Sequence, residues 1–375
     1  MKYFQLAELA ELINGSTPLK SNKKYWDNGT INWFTAEDLK NGNEVINTKK
    51  YITKFALDNT SIKLVPKDSV LLCCTASIGL IGINKIELTT NQQFNAIVPN
   101  KELINSRYLF YFLKSYMTEF KKKASTTTVG FISQKKVKSI PVPVPSLQEQ
   151  EKIAERLDKV FENIDTKINQ KITLNNQYKK YINSYIEKEL FQEKNPVKLK
   201  DLINVNRKNI NNYSNKFLGL ENIVSNTSEV VNVESMAVKS NTYKFDKGSL
   251  LYGRLRPYLN KVTIVDFDGH CSTEIFPIDT TKELNIKYLK YFLMTQKTVN
   301  KINLQTTGAR MPRASVSVLE NLKIDLKSQK EQSKNVEIFD NLTTLIQNIV
   351  KVNLKIIENS KLLKKSILNK EFSYE

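Results

Sequence analysis

FISQKKVKSIPVPVPSLQEQEKIAERLDKVFENIDTKINQKITLNNQYKKYINSYIEKELF, Phe131 to Phe191, decides how this chain is built, because it reads as an extended strand running into a long helix. Ile140, Val142 and Val144 alternate with Pro141, Pro143 and Pro145. Proline offers no backbone donor and disfavours the α region in the residue before it, so this run is extended and lies at a sheet edge. A helix can begin only after Pro145, and Ser146 followed by Glu149 forms a capping box that starts it at about Leu147. From there to Phe191 no proline or glycine intervenes, and Ile153, Leu157, Val160, Ile164, Ile168, Leu174, Tyr178, Tyr181 and Tyr185 recur mostly every three or four residues. At 1.5 Å per residue the helix is roughly 65 Å long, more than one small domain can cover.

The pattern returns at an offset of 182 residues: Ser133 maps to Ser315, Ile140 to Leu322, Val142 to Ile324, Val144 to Leu326, and the capping pair to Ser328 and Glu331. Leu157, Val160, Ile164, Ile168, Leu174, Tyr181 and Tyr185 map to Phe339, Leu342, Ile346, Val350, Ile356, Leu363 and Ile367, so both helices carry a narrow apolar seam that calls for a helical partner. The expected order is a globular segment at 1–145, a central long helix at 146–193, a second globular segment at 194–327 and a C-terminal long helix at 328–375.

The 375 residues, 40% hydrophobic, suffice for two ordinary domains. The opening MKYFQLAELAELING has neither a basic nor a continuous apolar leader segment, and no run approaches a membrane span, so a soluble cytoplasmic protein is expected. Cys73, Cys74 and Cys271 make no C-x-x-C pair, which argues against a zinc site or a disulfide framework. The net charge of +19 is divided unevenly. Residues 1–145 hold 20 Lys and Arg against 11 Asp and Glu, and residues 194–325 hold 20 against 12, whereas 146–193 hold 8 against 9. Part of this reflects a chain rich in lysine and asparagine throughout, but a bias of +9 and +8 on two domains fits two nucleic-acid footprints.

In the first segment a short helix is expected over Leu6–Ile13, followed by a loop in which Lys20, Lys23 and Lys24 stand beside Tyr25 and Trp26; this loop either touches phosphate or is simply solvated. Ile31, Trp33 and Phe34 read as a buried strand, and SVLLCCTASIGLIGI as core in which Gly79 and Gly82 mark a close backbone approach or a bend. The amides of Asn91, Gln92 and Gln93 read as structural before they read as base contacts. After an aromatic helix over Arg107–Met117 comes KKKASTTTVGFIS, where Lys121, Lys122 and Lys123 precede the hydroxyls of Thr126 and Thr127 in what reads as a loop suited to phosphate and sugar.

The second segment repeats the plan: LKDLINVN parallels LAELINGS, DKGSLLYGRLRPYLNKV stands for KDSVLLCCTASIGLIGI, KYLKYFLMT for RYLFYFLKS, and TTGARMPRASVS for TTTVGFISQKKV. Only seven arginines stand against fifty lysines, yet Arg254, Arg256, Arg310 and Arg313 fall in two short loops here. Arginine forks pair bidentately with guanine edges and phosphates, so these loops are candidate DNA contacts unless Arg254 or Arg256 forms an internal ion pair.

Catalytic constellations are missing: the single His270 reads as structural, and neither a phosphate-cradling Gly-rich loop nor an N-P-P-[YF] motif is present. Asp325 and Lys327 form an acid-x-Lys pair without further acids and read as accidental.

With GSTPLKSNKKYW, NWFTAEDL, ASIG, NQQF, IPVPVPSLQEQEKIAERLD, GRLRPYLNKV and LKIDLKSQKEQ in view, the whole chain resembles the specificity subunits of type I restriction-modification enzymes. The resemblance implies an α+β fold: two similar α/β target-recognition domains joined by two long antiparallel coiled-coil helices, with an internal pseudo-two-fold repeat. It further implies that each domain reads one half of a split duplex DNA site, and that the helices measure the gap. No catalysis is implied for this subunit. Methylation subunits and a restriction-translocase subunit, which carry S-adenosylmethionine, ATP and Mg, would dock on it through Leu147, Glu149 and Gln150 and through Glu331 and Gln332. The second copy departs by having Gln329 for the leucine and Lys323, Asp325 and Lys327 for the three prolines. A stand-alone DNA-binding protein and a coiled-coil scaffold remain the alternatives.

Overall fold

In the computed structural model, which describes residues 2–39, 43–75, 77–124, 131–210, 214–308 and 310–372, the chain divides into two units: Met1–Gln170 with Lys355–Glu375, and Lys171–Leu354. In unit 1 the strand Val70–Cys73 is apolar throughout because both its faces are covered. Val70 and Leu72 join a core with Ile97, Tyr108, Leu109 and Phe112, while Leu71 and Cys73 join another with Ile13, Phe34, Phe94 and Ala96. Side chains alternate across a strand, so this sheet is a middle layer. Its order is Ala10–Asn14, Phe94–Pro99, Val70–Cys73, Ile81–Asn84, Glu44–Val45, with only the last pair parallel. A three-stranded sheet of Lys50–Ile52, Ile31–Phe34 and Thr89–Thr90 flanks it. The run expected to bend at glycine is a hairpin: Gly79 turns it with φ 77°, and at Gly82 an added Cβ would stand 2.5 Å from Leu39 Cδ2.

Two expectations for this unit change. The helix expected over Leu6–Ile13 is a single turn, Leu6–Leu9, and Ala10–Asn14 is a strand paired along Phe94–Pro99. The sheet ladder satisfies more backbone groups than a second helical turn would. The aromatic helix runs Ser106–Ala124, so Lys121–Lys123 end that helix instead of opening a loop. Nothing between Met117 and Ala124 breaks a helix, and lysines suit its C-terminal pole. Thr126 and Thr127 lie outside the described residues.

Unit 2 repeats this architecture. Leu250 and Tyr252 share a core with Phe276, Ile278, Tyr288, Leu289 and Phe292, and Leu251 faces Leu218, Phe245 and Ile275 on the other side. The central sheet is Ile203–Val205, Ile275–Thr280, Leu250–Gly253, Val262–Ile264, beside a five-stranded sheet of Asn209–Ile210, Thr242–Phe245, Gly269–Ser272, Ser214–Leu218 and Glu234–Ala237. The internal correspondence needs one correction. Leu6 N donates to Ile140 O as Leu199 N does to Leu322 O, and Asn100 N donates to Leu9 O as Thr281 N does to Leu202 O. Leu199 therefore matches Leu6 and not Leu9: the opening LAELAEL contains the motif twice, and the structural partner is its first copy.

Among the described residues the proline strand Pro141–Val144 pairs only with Lys2–Gln5, as an edge strand should, and Lys323–Asp325 pairs with Pro196–Lys198 in the same way. Ser133 and Ser315 cap one-turn helices just before these strands. The first long helix is Leu147–Leu190 and the second Gln329–Glu371. In unit 1 Arg156 pairs with Glu371 and Asp165 with Lys364; in unit 2 Asn175 bonds Asn353 and Tyr185 meets the ring of Phe339. As one number rises the other falls, so the helices run antiparallel in each unit. Leu157, Phe161, Ile168, Ile186 and Leu190 form the buried face of the first, and Val336, Phe339, Ile357 and Leu368 that of the second. The expected seam was partly wrong in side: Tyr185 meets the second helix, but Tyr181, Ile356 and Leu363 expose 74%, 40% and 51% of their surface, and Ile182 and Ile186 turn inward. Steps of three and four fit more than one face over so many turns. No helix among the described residues is long and apolar enough to cross a membrane.

Candidate nucleic-acid interface

In unit 1 the loop after Asn14 is laid against the strand before Phe94. Gly15 N donates to Phe94 O and Ser16 N to Thr90 O, and a Cβ on Gly15 would fall 1.9 Å from Asn91 O, so glycine is required for that approach. Thr17 Oγ1 bonds Gln92 Oε1, Trp33 Nε1 donates to Ser16 O, and Trp26 Nε1 donates to Leu19 O while its ring meets Trp33 edge-on at 5.0 Å. On this anchored loop Lys20, Lys23 and Lys24 are all exposed. Asn91 and Gln93 bond each other, in keeping with their structural reading; Gln92 is exposed.

In unit 2 the structure brings the two arginine loops together. Thr307 and Arg313 exchange backbone hydrogen bonds of 3.0 and 3.3 Å, which makes 307–313 a hairpin, and Gly308 turns it at φ 94°. Its second leg lies against the other loop: Arg256 N donates to Pro312 O at 2.7 Å and Ala314 N to Arg254 O at 2.9 Å. Arg256 is exposed at φ 51°, Arg310 is exposed on the hairpin, and Tyr258 and Met311 expose 51% and 44% of their surface. The other two arginines are engaged internally. Arg254 Nε donates to Ala314 O, its guanidinium 4.9 Å from the Phe276 ring centre, and Arg313 forms a bidentate ion pair with Glu274 at 2.8–3.2 Å. The internal ion pair considered for Arg254 or Arg256 is thus made by Arg313. Ser272 and Thr273, just before Glu274, also line a cleft of about 450 Å³ with Asn209, Asn241, Thr242 and Tyr243, rich in amides and hydroxyls.

Unit 1 has the same junction with other side chains. Cys74 N donates to Gln93 O as Arg254 N does to Glu274 O, and Ile132 N donates to Cys74 O as Ala314 N does to Arg254 O. Phe131, 65% exposed, stands where Arg313 stands in unit 2. Nothing in the sequence of Glu274 or Phe131 alone marks them; the repeat alignment carried through the loops would have.

The residues expected at a docking surface separate by exposure. Leu147 (42% exposed), Glu149 and Glu331 face outward, with Ser146 Oγ accepting from Glu149 N and a complete capping box between Ser328 and Glu331. Those bonds from Ser328 hold the Glu331 carboxyl below its usual range. Gln150 and Gln332 have no exposed surface. Gln150 accepts from Asn105 N at 2.7 Å and donates to Leu103 O and Pro145 O; Gln332 accepts from Asn285 N at 2.8 Å and donates to Glu283 O and Lys327 O. Each is a clamp fixing the first turn of its long helix to the start of the aromatic helix, so it supports the surface from beneath. Tyr111 and Tyr291 add a second tie, donating at 2.6 Å to Asp158 and Asp340.

His270 is buried, with Nε2 against the carbonyls of Asn215 and Met236, as its structural reading requires. Asp325 accepts from Asn195 N and Lys327 pairs with Glu189, so the acid-x-Lys pair joins two chain segments. All three cysteines are free and buried, and the described residues contain no cluster of metal-ligating side chains.

Residues 1–174 and 192–358 match the family model described as the type I restriction modification DNA specificity domain. The MjaIX type I restriction enzyme specificity subunit of Methanocaldococcus jannaschii is 27% identical over 95% of this chain and 88% of its own length. Among solved structures, a chain from a study of complex assembly and conformational transition of the type I R-M system superposes with a TM-score of 0.77 at 14% identity, covering 99% of this chain and 97% of the other. The HsdS subunit from Thermoanaerobacter tengcongensis gives a TM-score of 0.55 at 14% identity, over 99% and 96%.

Proposed function

The chain belongs to the type I restriction-modification DNA specificity family, and from that membership we propose that it binds a bipartite duplex sequence, one unit per half-site, and carries no catalytic site of its own. The observation that carries this reading is the duplicated junction: two units share one backbone frame at Cys74–Gln93–Ile132 and Arg254–Glu274–Ala314 but present different side chains from it. One scaffold with two surfaces is what reading two different half-sites requires.

In unit 1 Lys20, Lys23 and Lys24, with Lys121–Lys123 at the end of the aromatic helix, hold phosphate; in unit 2 Arg256 and Arg310 supply the exposed forks for guanine edges or phosphate. Arg254 and Arg313 serve mainly to hold those loops. Methylation and restriction subunits dock beside Leu147, Glu149 and Glu331. Apolar side chains exposed on the long helices add to that surface: Leu345 and Val352, seven residues apart in unit 2, and Ile356 and Leu363, seven apart in unit 1. S-adenosylmethionine, ATP and Mg belong to those partners.

The antiparallel helices, shared by both units, set the unread gap. Removing seven residues from each takes out about 10 Å of helix, equal to about three base pairs. Sequencing the duplexes bound by such a variant should show both half-sites unchanged and the gap shortened by about that number. A gap of unaltered length in a folded variant would mean that something other than the helices sets it.

A further inference from the structure

We infer that Glu274 is a positioning residue for sequence choice: its carboxylate fixes the hairpin 307–313, and through it the exposed forks of Arg256 and Arg310. This rests on the reading of unit 2 as a DNA-binding unit. Glu274 is held from both sides. Its backbone carbonyl accepts from Arg254 N at 2.9 Å and its N–H donates to Ser272 Oγ at 3.2 Å, which fixes the turn it stands on. Its Oε1 then accepts from Arg313 Nη2 at 2.8 Å and from Nε at 2.9 Å, and its Oε2 from Nε at 3.2 Å, a side-on fork that favours one orientation of the guanidinium. Arg313 is the hairpin's last residue, and the leg it ends also receives Arg256 N at Pro312 O. A shift of Arg313 therefore moves both exposed arginines.

A carboxylate is an unexpected neighbour for a surface that meets phosphate, because alone it repels the backbone. Here its charge is matched by a partner that is only partly exposed, at 35% for Arg313 against 27% for Glu274, so the pair adds little net field and contributes geometry instead. In unit 1 the same backbone position is Gln93 and the place of Arg313 is taken by Phe131, so the ionic clamp is a property of the arginine-bearing surface alone. A fork that reads a base edge bidentately must be placed within a fraction of an ångström, and the ion pair supplies that constraint.

The test compares the full chain with Glu274→Gln, Arg313→Ala, and the exchanged pair Glu274→Arg with Arg313→Glu, using duplexes that the unaltered chain selects and the same duplexes with the unit 2 half-site substituted. Glu274→Gln and Arg313→Ala should each lower the ratio of selected to substituted binding roughly ten- to hundred-fold, the worth of one or two lost base contacts, while the salt slope stays unchanged. The exchanged pair should recover a substantial part of that ratio, which a merely unfolded protein could not do. If Glu274→Gln instead tightens binding to both duplexes and steepens the salt slope, Glu274 masks a phosphate contact of Arg313 and the positioning role is overturned; an unchanged ratio overturns it too. Arg256→Ala and Arg310→Ala separate DNA reading by unit 2 from positioning by Glu274. If they leave the ratio intact, the unit 2 surface does not read DNA, whereas if they lower it and the Glu274 variant does not, only the positioning role fails.

Discussion

Binding of the full chain to duplex DNA should weaken about 10³- to 10⁵-fold between 50 and 200 mM salt, the loss typical of roughly six to ten neutralised phosphates. The motivation is where the charge lies: 20 Lys and Arg against 11 acids over residues 1–145, and 20 against 12 over 194–325, with Lys20, Lys23, Lys24, Arg256 and Arg310 exposed. Each cation that neutralises a phosphate releases a condensed counterion, so the logarithm of affinity should fall linearly with that of salt concentration. A titration by fluorescence anisotropy at four or five salt concentrations reads the slope directly. A fall of less than ten-fold over that range would show that the positive surface does not track the backbone.

Gln150→Ala should destabilise unit 1, and Gln332→Ala unit 2, each by about 2–4 kcal/mol. The magnitude follows from what is left behind. Without Gln150, itself wholly buried, the N–H of Asn105 and the carbonyls of Leu103 and Pro145 lose a partner in a partly buried site, and an unsatisfied buried group costs about 1–3 kcal/mol. Water entering the vacated space offsets part of the sum. Urea unfolding monitored separately in each unit should show the midpoint falling in the unit that carries the substitution. A shift below about 0.5 kcal/mol in both variants would mean that these amides do not clamp the long helices.

Much of the architecture is legible in the sequence because it is written in local chemistry. Proline before Ser146 stops one element and Ser146 with Glu149 starts the next, so the helix beginning at Leu147 could be placed, and its second copy followed from the offset of 182 residues. Local rules also misled. The LAEL motif occurs twice in LAELAEL, and only the bonds of Leu6 to Ile140 and Leu9 to Asn100 show which copy matches Leu199. Tyr181 and Leu363 keep helical spacing yet lie outside, because which face turns inward is set by the partner helix and not by the period.

The site was legible as chemistry but not as geometry. Four arginines in two loops stood out against fifty lysines, but only the fold shows Arg313 spent on Glu274 and Arg256 and Arg310 left exposed beside each other's loops. Gln150 and Gln332 look like surface residues by type, and polar side chains usually are. Asn105 and Asn285, each three residues before a tyrosine of the aromatic helix in its own half, are the signal that the glutamines have a buried backbone partner nearby.

The central claim is that one chain reads two half-sites, and selection of bound duplexes from a random pool by the full chain, followed by sequencing, tests it most directly. Two short fixed blocks separated by an unspecified gap of constant length are expected, with substitutions at Arg256 and Arg310 altering one block only. A single contiguous block, or no enrichment of any sequence, would contradict it.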